Sequence, residues 1–144
     1  MRPVTGITIL YDAGCGICTH TRDWIAQQDA MVRIRFLAAD STEAKNEFSE
    51  LPGGELAVVG NTGEVWLGNH AWIVCLWALR GYRDLAFRLT SPLLLMMARE
   101  AFALVSKNRA ALSAMLRLRS ERELENQLRE VIVPRCQTSE RWLE

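Results

Sequence analysis

Residues 7–28, ITILYDAGCGICTHTRDWIAQQ, place two cysteines between an apolar run and a segment with helical spacing. The run Ile7–Tyr11 is short, apolar and rich in β-branched residues, which is typical of a buried strand. The segment from Cys15 to Gln28 carries apolar residues at helical intervals and therefore predicts a helix. A C-x-x-C pair, Cys15 and Cys18, thus lies where a strand passes into a helix.

This junction suits thiol–disulfide chemistry. A helix N-terminus carries partial positive charge and unpaired N–H groups, and both favour a thiolate over a thiol. Cys15 is the expected nucleophile, because it lies nearer to the helix start and to solvent. Cys18 follows one turn deeper on the same helix face and is the expected resolving thiol.

The alternative for this pair is half of a metal site. Zinc needs four ligands, usually including a second closely spaced pair. The remaining candidate ligands are scattered along the chain, namely His20, His70, Cys75 and Cys136. The spacing therefore favours a redox pair with no metal, and Cys75 is expected to be a buried structural thiol on an apolar helix face.

The residues around the cysteines have two interpretations each. Asp12 either relays a proton and adjusts the redox balance, or its carboxylate accepts N–H groups of the following turn. Gly14 and Gly16 either let a substrate approach closely or meet a steric need of the turn. Tyr11 and Ile17 either form an apolar rim for the substrate or belong to the core.

The rest of the chain predicts a mixed α/β fold. Strands are expected at 6–12, 32–38, 56–59 and 64–67, and helices at 15–28, 42–51, 70–80, 83–89, 92–107, 110–119 and 121–133. This order matches a thioredoxin-like core, in which a βαβ unit and a β-hairpin form a sheet of about four strands. The core is assigned to residues 6–81 and extra C-terminal helices to 82–133, all within one domain, 1–144.

The composition of the chain limits which partners it is expected to bind and where in the cell it is expected to occur. The 17 Lys and Arg residues balance 17 Asp and Glu residues, which argues against nucleic acid as a partner. The sequence has no run long enough for a membrane span and no secretory signal pattern. These features favour a cytoplasmic location, where a C-x-x-C is more often catalytic than structural.

The segment Tyr11–Cys18, YDAGCGIC, resembles the D-x-x-C-x-x-C signature of the DCC family of predicted thiol-disulfide oxidoreductases, which is thioredoxin-like. Three later segments fit the family in the same order, namely Gly63–Ala71, Ser91-Pro92 and Lys107-Asn108-Arg109. The resemblance spans residues 6–112. It implies an oxidoreductase whose site contains Asp12, Cys15 and Cys18.

One feature departs from thioredoxin-like enzymes, which place a cis-proline before the third strand, facing the cysteines. Here Pro52 lies four residues before Leu56, with two glycines between them. Glu55 or Val58 are the alternatives for the residue that faces the cysteines.

The expected function is therefore disulfide reduction or exchange through Cys15 and Cys18, without a bound cofactor. The substrate is a disulfide-containing protein or small molecule, and the electrons come from a thiol donor such as glutathione or a dithiol protein. One alternative is a non-catalytic interaction module or redox sensor that binds a partner through its C-terminal helices. The other is a metal-binding protein.

Overall fold

One mixed sheet of four strands organises the computed structural model, which describes residues 2–130. The strands are β1 (Gly6–Tyr11), β2 (Arg33–Ala38), β3 (Ala57–Gly60) and β4 (Val65–Leu67). They lie in the order β2-β1-β3-β4, with β1 and β2 parallel and the β1–β3 and β3–β4 pairs antiparallel. The predicted combination of a βαβ unit and a hairpin is confirmed.

Helices connect and extend this sheet. They are α1 (Gly16–Ala26), α2 (Thr42–Glu47), α3 (Gly68–Ala78), α4 (Arg83–Leu89), α5 (Pro92–Lys107), α6 (Arg109–Met115) and α7 (Glu121–Glu130), with a 3₁₀ turn at Arg80–Tyr82. The chain thus has a thioredoxin-like core followed by additional C-terminal helices, as the sequence predicts. The division into a core at 6–81 and an extension at 82–133 stays a prediction.

Several helix ends differ from the predicted ones for local reasons. The helix predicted to reach 119 ends at Met115, because Arg117 has a φ of 53° and leaves the helical conformation. The helix predicted to reach 80 ends at Ala78, since Leu79 is extended and pairs with Ala30. The predicted end of the last helix, and Cys136, lie outside the described residues.

Side chains alternate across the strands and form an apolar layer on each face of the sheet. On one face Ile7, Ile9 and Val58 pack with residues of α1 and α3, including Ile25 and Cys75. The other face carries Leu10, Leu37, Ala57 and the α2 residue Ala44. Cys75 is 1% exposed, so the prediction that it is buried is confirmed.

The helix α5 leaves much of its apolar surface exposed, at Leu93, Met96, Met97 and Leu104. Within residues 2–130, a single helix with the length and hydropathy of a membrane span does not occur. Only the segments 80–89 and 92–107 taken together meet that criterion, and a bend of 107° separates them.

Candidate active site

The two cysteines lie at the start of α1, where the sequence predicts them. Cys15 is the N-cap residue, with extended backbone, and Cys18 lies in the first turn. The backbone N–H of Cys18 donates to Cys15 Sγ at 3.3 Å, and the Cys18 thiol lies 2.6 Å from the same sulfur. The Cys15 sulfur therefore has two donors directed at it, both from the residue one turn ahead.

The relative exposure of the two thiols is the reverse of the predicted one. Cys15 is only 7% exposed, whereas Cys18 is half-buried and lines a cavity. The prediction that Cys15 is nearer to solvent was wrong because the connection between α6 and α7 packs over the start of α1. The backbone of Leu118 in this connection lies against Gly16, and Ser113 Oγ, in the last turn of α6, accepts the Ile17 N–H at 3.0 Å.

The environment of Cys18 keeps it protonated. Burial and the hydrogen bond with Cys15 raise the pKa of Cys18 to about 12, and Asp12 adds to this increase. The positive charge of Arg109 acts in the opposite direction and lowers that pKa. At neutral pH the Cys18 thiol thus retains its proton, which it directs at the Cys15 sulfur.

Asp12 joins the turn before α1 to the start of α6. Its Oδ1 accepts the Gly14 N–H at 2.9 Å, which confirms the turn-forming interpretation of this aspartate. Its Oδ2 lies 3.2 Å from Arg109 Nη2. A catalytic role for Asp12 stays a prediction, but the ion pair holds a cation beside Cys18.

The sequence around the cysteines did not indicate that Arg109 belongs to the candidate active site. The only signal was its place in the Lys107-Asn108-Arg109 segment of the family resemblance, to which no role was attached. Arg109 lies at the first position of α6 and lines the same cavity as Asp12 and Cys18.

A polar cluster ties α7 to the end of β1 and to α1. The Tyr11 hydroxyl donates to Glu121 Oε2 at 2.6 Å and accepts from Arg22 Nη1 at 2.8 Å. Arg22 Nη1 also lies 3.2 Å from Glu121 Oε1. Burial, together with the carboxylate of Glu121, raises the pKa of Tyr11, so its hydroxyl remains a donor.

The four predicted substrate contacts fall into two pairs. Tyr11 and Ile17 both line the cavity beside Cys18. Gly14 is exposed next to the Asp12 carboxylate and Arg122, and Gly16 is buried against Leu118. Contact between a substrate and any of these residues stays a prediction.

The cavity has a volume of about 410 Å³ and lies at the carboxyl ends of the two parallel strands. The loop Gly53–Leu56 forms part of its wall, and Glu55 belongs to that loop. Val58, by contrast, is fully buried in the core. No peptide bond within residues 2–130 is cis, so Pro52 does not reproduce the cis-proline of thioredoxin-like enzymes.

The residues proposed as further metal ligands do not converge in the part of the chain that the structure describes. No group of three or more His, Cys, Asp or Glu side chains in residues 2–130 has an arrangement suited to a metal ion. Both His20 and His70 are exposed, while Cys75 is buried and lines the cavity.

One of three comparisons with known proteins gave a match. A family model described as DCC1-like thiol-disulfide oxidoreductase matches residues 9–115, which is more than half of the 144-residue chain. The matched region includes the C-x-x-C pair and ends with the last residue of α6. Searches of curated proteins and of solved structures gave no match.

Proposed function

The chain belongs to the DCC1-like thiol-disulfide oxidoreductase family, and from that premise we propose that Cys15 and Cys18 are its redox-active pair, with Cys15 as nucleophile. The observation that carries the proposal is the pair of donors, the Cys18 N–H and thiol, directed at the Cys15 sulfur. Donors of this kind stabilise a thiolate, as does the helix N-terminus that Cys15 caps.

In the first step, the Cys15 thiolate attacks one sulfur of a substrate disulfide R–S–S–R. A Cys15–S–S–R bond forms, the substrate S–S bond breaks, and one thiolate leaves and takes a proton from solvent. The α6–α7 connection packs against the start of α1, and the Cys18 thiol beside Cys15 lines the cavity, so the substrate disulfide approaches from the cavity.

In the second step, Cys18 loses its proton and attacks the Cys15 sulfur of the mixed disulfide. A Cys15–Cys18 disulfide forms, and the second half of the substrate leaves as a thiolate. Once Cys15 is in the mixed disulfide, its sulfur no longer holds the Cys18 proton and no longer raises the pKa of Cys18. Burial still disfavours the Cys18 thiolate, and the positive charge of Arg109 favours it. Two electrons from a glutathione-like monothiol or a dithiol protein then restore both thiols, and we place this cycle in the cytoplasm.

A second function is favoured by a different observation. The exposed apolar face of α5 is the kind of surface that binds another protein. A non-catalytic interaction module or redox sensor would use that face, with the cysteines changing state without turning over substrate.

The reduction potential of the pair tests the proposal. The protein is equilibrated in glutathione buffers of varied ratio, and the Cys15–Cys18 disulfide is quantified by mass spectrometry after alkylation. We expect a single reversible two-electron transition that leaves Cys75 reduced, because burial raises the pKa of Cys75 to about 12. Failure of the pair to form an intramolecular disulfide at any ratio would falsify the proposed function.

Arg109→Gln should slow the second step by about threefold to tenfold, because the Cys18 thiolate loses its nearby positive charge. The rate of mixed-disulfide resolution is measured against pH by stopped-flow. Below the pKa of Cys18, the resolution rate should rise with pH, since only the thiolate attacks. In Arg109→Gln the same rise should occur at higher pH, because Arg109 no longer lowers the pKa of Cys18.

Arg99→Gln on α5 is the matched control, because Arg99 is exposed and does not line the cavity. Arg99→Gln should leave the pH dependence of the resolution rate unchanged. Equal profiles for Arg109→Gln and the native protein would show that Arg109 plays no part in the second step.

A further inference from the structure

The cavity beside Cys18 is closed on one side by the C-terminal helices. Val105 and Ser106 near the end of α5, together with Arg109, line it along with residues at the ends of the parallel strands. Resting on the proposed function, we infer that this cavity binds a low-molecular-weight disulfide with an uncharged, apolar body, and not an extended segment of protein.

The size of the cavity and the burial of Cys15 support a small substrate. A volume of about 410 Å³ falls within the range of about 300–1,000 Å³ that is common for small-molecule sites. Cys15 is only 7% exposed, and its sulfur lies 2.6 Å from the sulfur of Cys18, which lines the cavity. The cavity is therefore the open space nearest to the Cys15 sulfur. A protein disulfide would carry two stretches of backbone into the same space.

The apolar part of the lining suits a hydrocarbon or aromatic body. It includes Ile9, Ile17, Ile25, Leu56, Trp72 and Val105. The Trp72 ring stacks on Phe102, with centroids 5.7 Å apart and planes 17° from parallel. This stacking holds one broad apolar surface in place before any ligand enters.

The charged groups of the lining largely neutralise one another. Arg109 pairs with Asp12, and Arg122 pairs with Asp40. Arg22 pairs with Glu121 and with Asp23. Lys45 and Glu55, which take no part in the ion pairs of residues 2–130, add one charge of each sign. A ligand with a net charge of either sign therefore gains little here.

The reaction at this site is the balanced exchange already described. One small disulfide receives two electrons from the Cys15–Cys18 dithiol and leaves as two thiols, and the protein retains the disulfide. The thiol donor then reduces the protein.

The first test compares three small disulfides of similar length with a protein disulfide. These are neutral, apolar dipropyl disulfide, cationic cystamine, anionic 3,3′-dithiodipropionate, and insulin as the protein disulfide. Each kcat/KM is divided by the rate constant of free dithiothreitol with the same disulfide. We expect this normalised kcat/KM to be at least about tenfold higher for the neutral compound than for each of the others. A tenfold ratio corresponds to about 1.4 kcal/mol.

The second test fills the cavity. Val105→Trp and Ser106→Phe should each raise KM for the neutral disulfide by about tenfold, because a large side chain occupies the ligand's space. Leu104→Trp is the control, since Leu104 is 64% exposed and does not line the cavity, and it should leave KM unchanged. Ser106 is also exposed, so its variant tests the cavity if Val105→Trp fails to fold.

Outcomes separate this inference from the proposed function. Unchanged KM in the folded filled-cavity variants, or a preference for insulin or a charged disulfide, would overturn the small-substrate inference while the redox pair stands. Reduction of none of the four disulfides would instead remove the proposed function.

Discussion

Cys15→Ser should lower disulfide reductase turnover on the order of a thousandfold, because a serine hydroxyl does not replace the attacking thiolate. The Cys18 N–H and thiol, which stabilise the Cys15 sulfur, would then face a group that stays protonated. Turnover is measured with a small disulfide and excess glutathione, and folding is checked by thermal unfolding.

Cys18→Ser should give a different result from the same assay. The first step remains, so a mixed disulfide between Cys15 and half of the substrate should accumulate to about one equivalent, visible as a mass increase. Cys136→Ser serves as the control thiol, because Cys136 lies outside the C-x-x-C pair in the sequence and should not be needed for turnover. Full activity in both Cys15→Ser and Cys18→Ser would leave the interaction module as the better interpretation.

The sequence predicts well what neighbouring residues decide. The step from Tyr11 through the cysteines into α1 depends on local spacing, and it was placed correctly. The predicted start of the last helix at residue 121 is correct for a similarly local reason, because Ser120 and Glu123 form a capping box there with hydrogen bonds of 3.1 and 3.2 Å. The parallel pairing of β1 with β2 follows from the helix between them.

The exposure of the cysteines was not predictable in this way. A strand-to-helix junction indicates an accessible N-cap residue, but the α6–α7 connection covers it from about a hundred positions further along the chain. The contacts responsible, from Ser113 and Leu118, carry no pattern that singles them out. Arg109 reaches Asp12 by the same kind of long-range packing.

The cavity is likewise a product of tertiary packing. Trp72 and Val105 belong to α3 and α5, and each looks like an ordinary core residue in the sequence. Glu55 and Val58 were the two alternatives for the residue facing the cysteines. Glu55 lines the cavity, whereas Val58 is fully buried in the core, and the sequence alone did not distinguish them.

Gly16→Ala should destabilise the protein by about 1–3 kcal/mol, although alanine usually favours a helix over glycine. A Cβ at this position would lie 2.5 Å from the Leu118 carbonyl oxygen and 3.3 Å from the Leu118 Cβ. Backbone does not give way as a flexible side chain does, so the α6–α7 connection must shift away from the start of α1. That shift also uncovers Cys15, and its alkylation by iodoacetamide should become several-fold faster.

Gly81→Ala is the matched control for this substitution, because a Cβ there would meet no atom within 4 Å. Urea unfolding and the alkylation rate of Cys15 are measured for both variants and the native protein. Gly81→Ala should change the free energy of unfolding by less than about 0.5 kcal/mol and leave alkylation unaltered. If Gly16→Ala matched this control in both measurements, the α6–α7 connection would not be what covers Cys15. Gly16 is buried at the start of α1, whereas Gly81 is exposed in the 3₁₀ turn. A loss of stability together with faster alkylation of Cys15, seen in Gly16→Ala alone, would tie the burial of Cys15 to the close approach of Leu118.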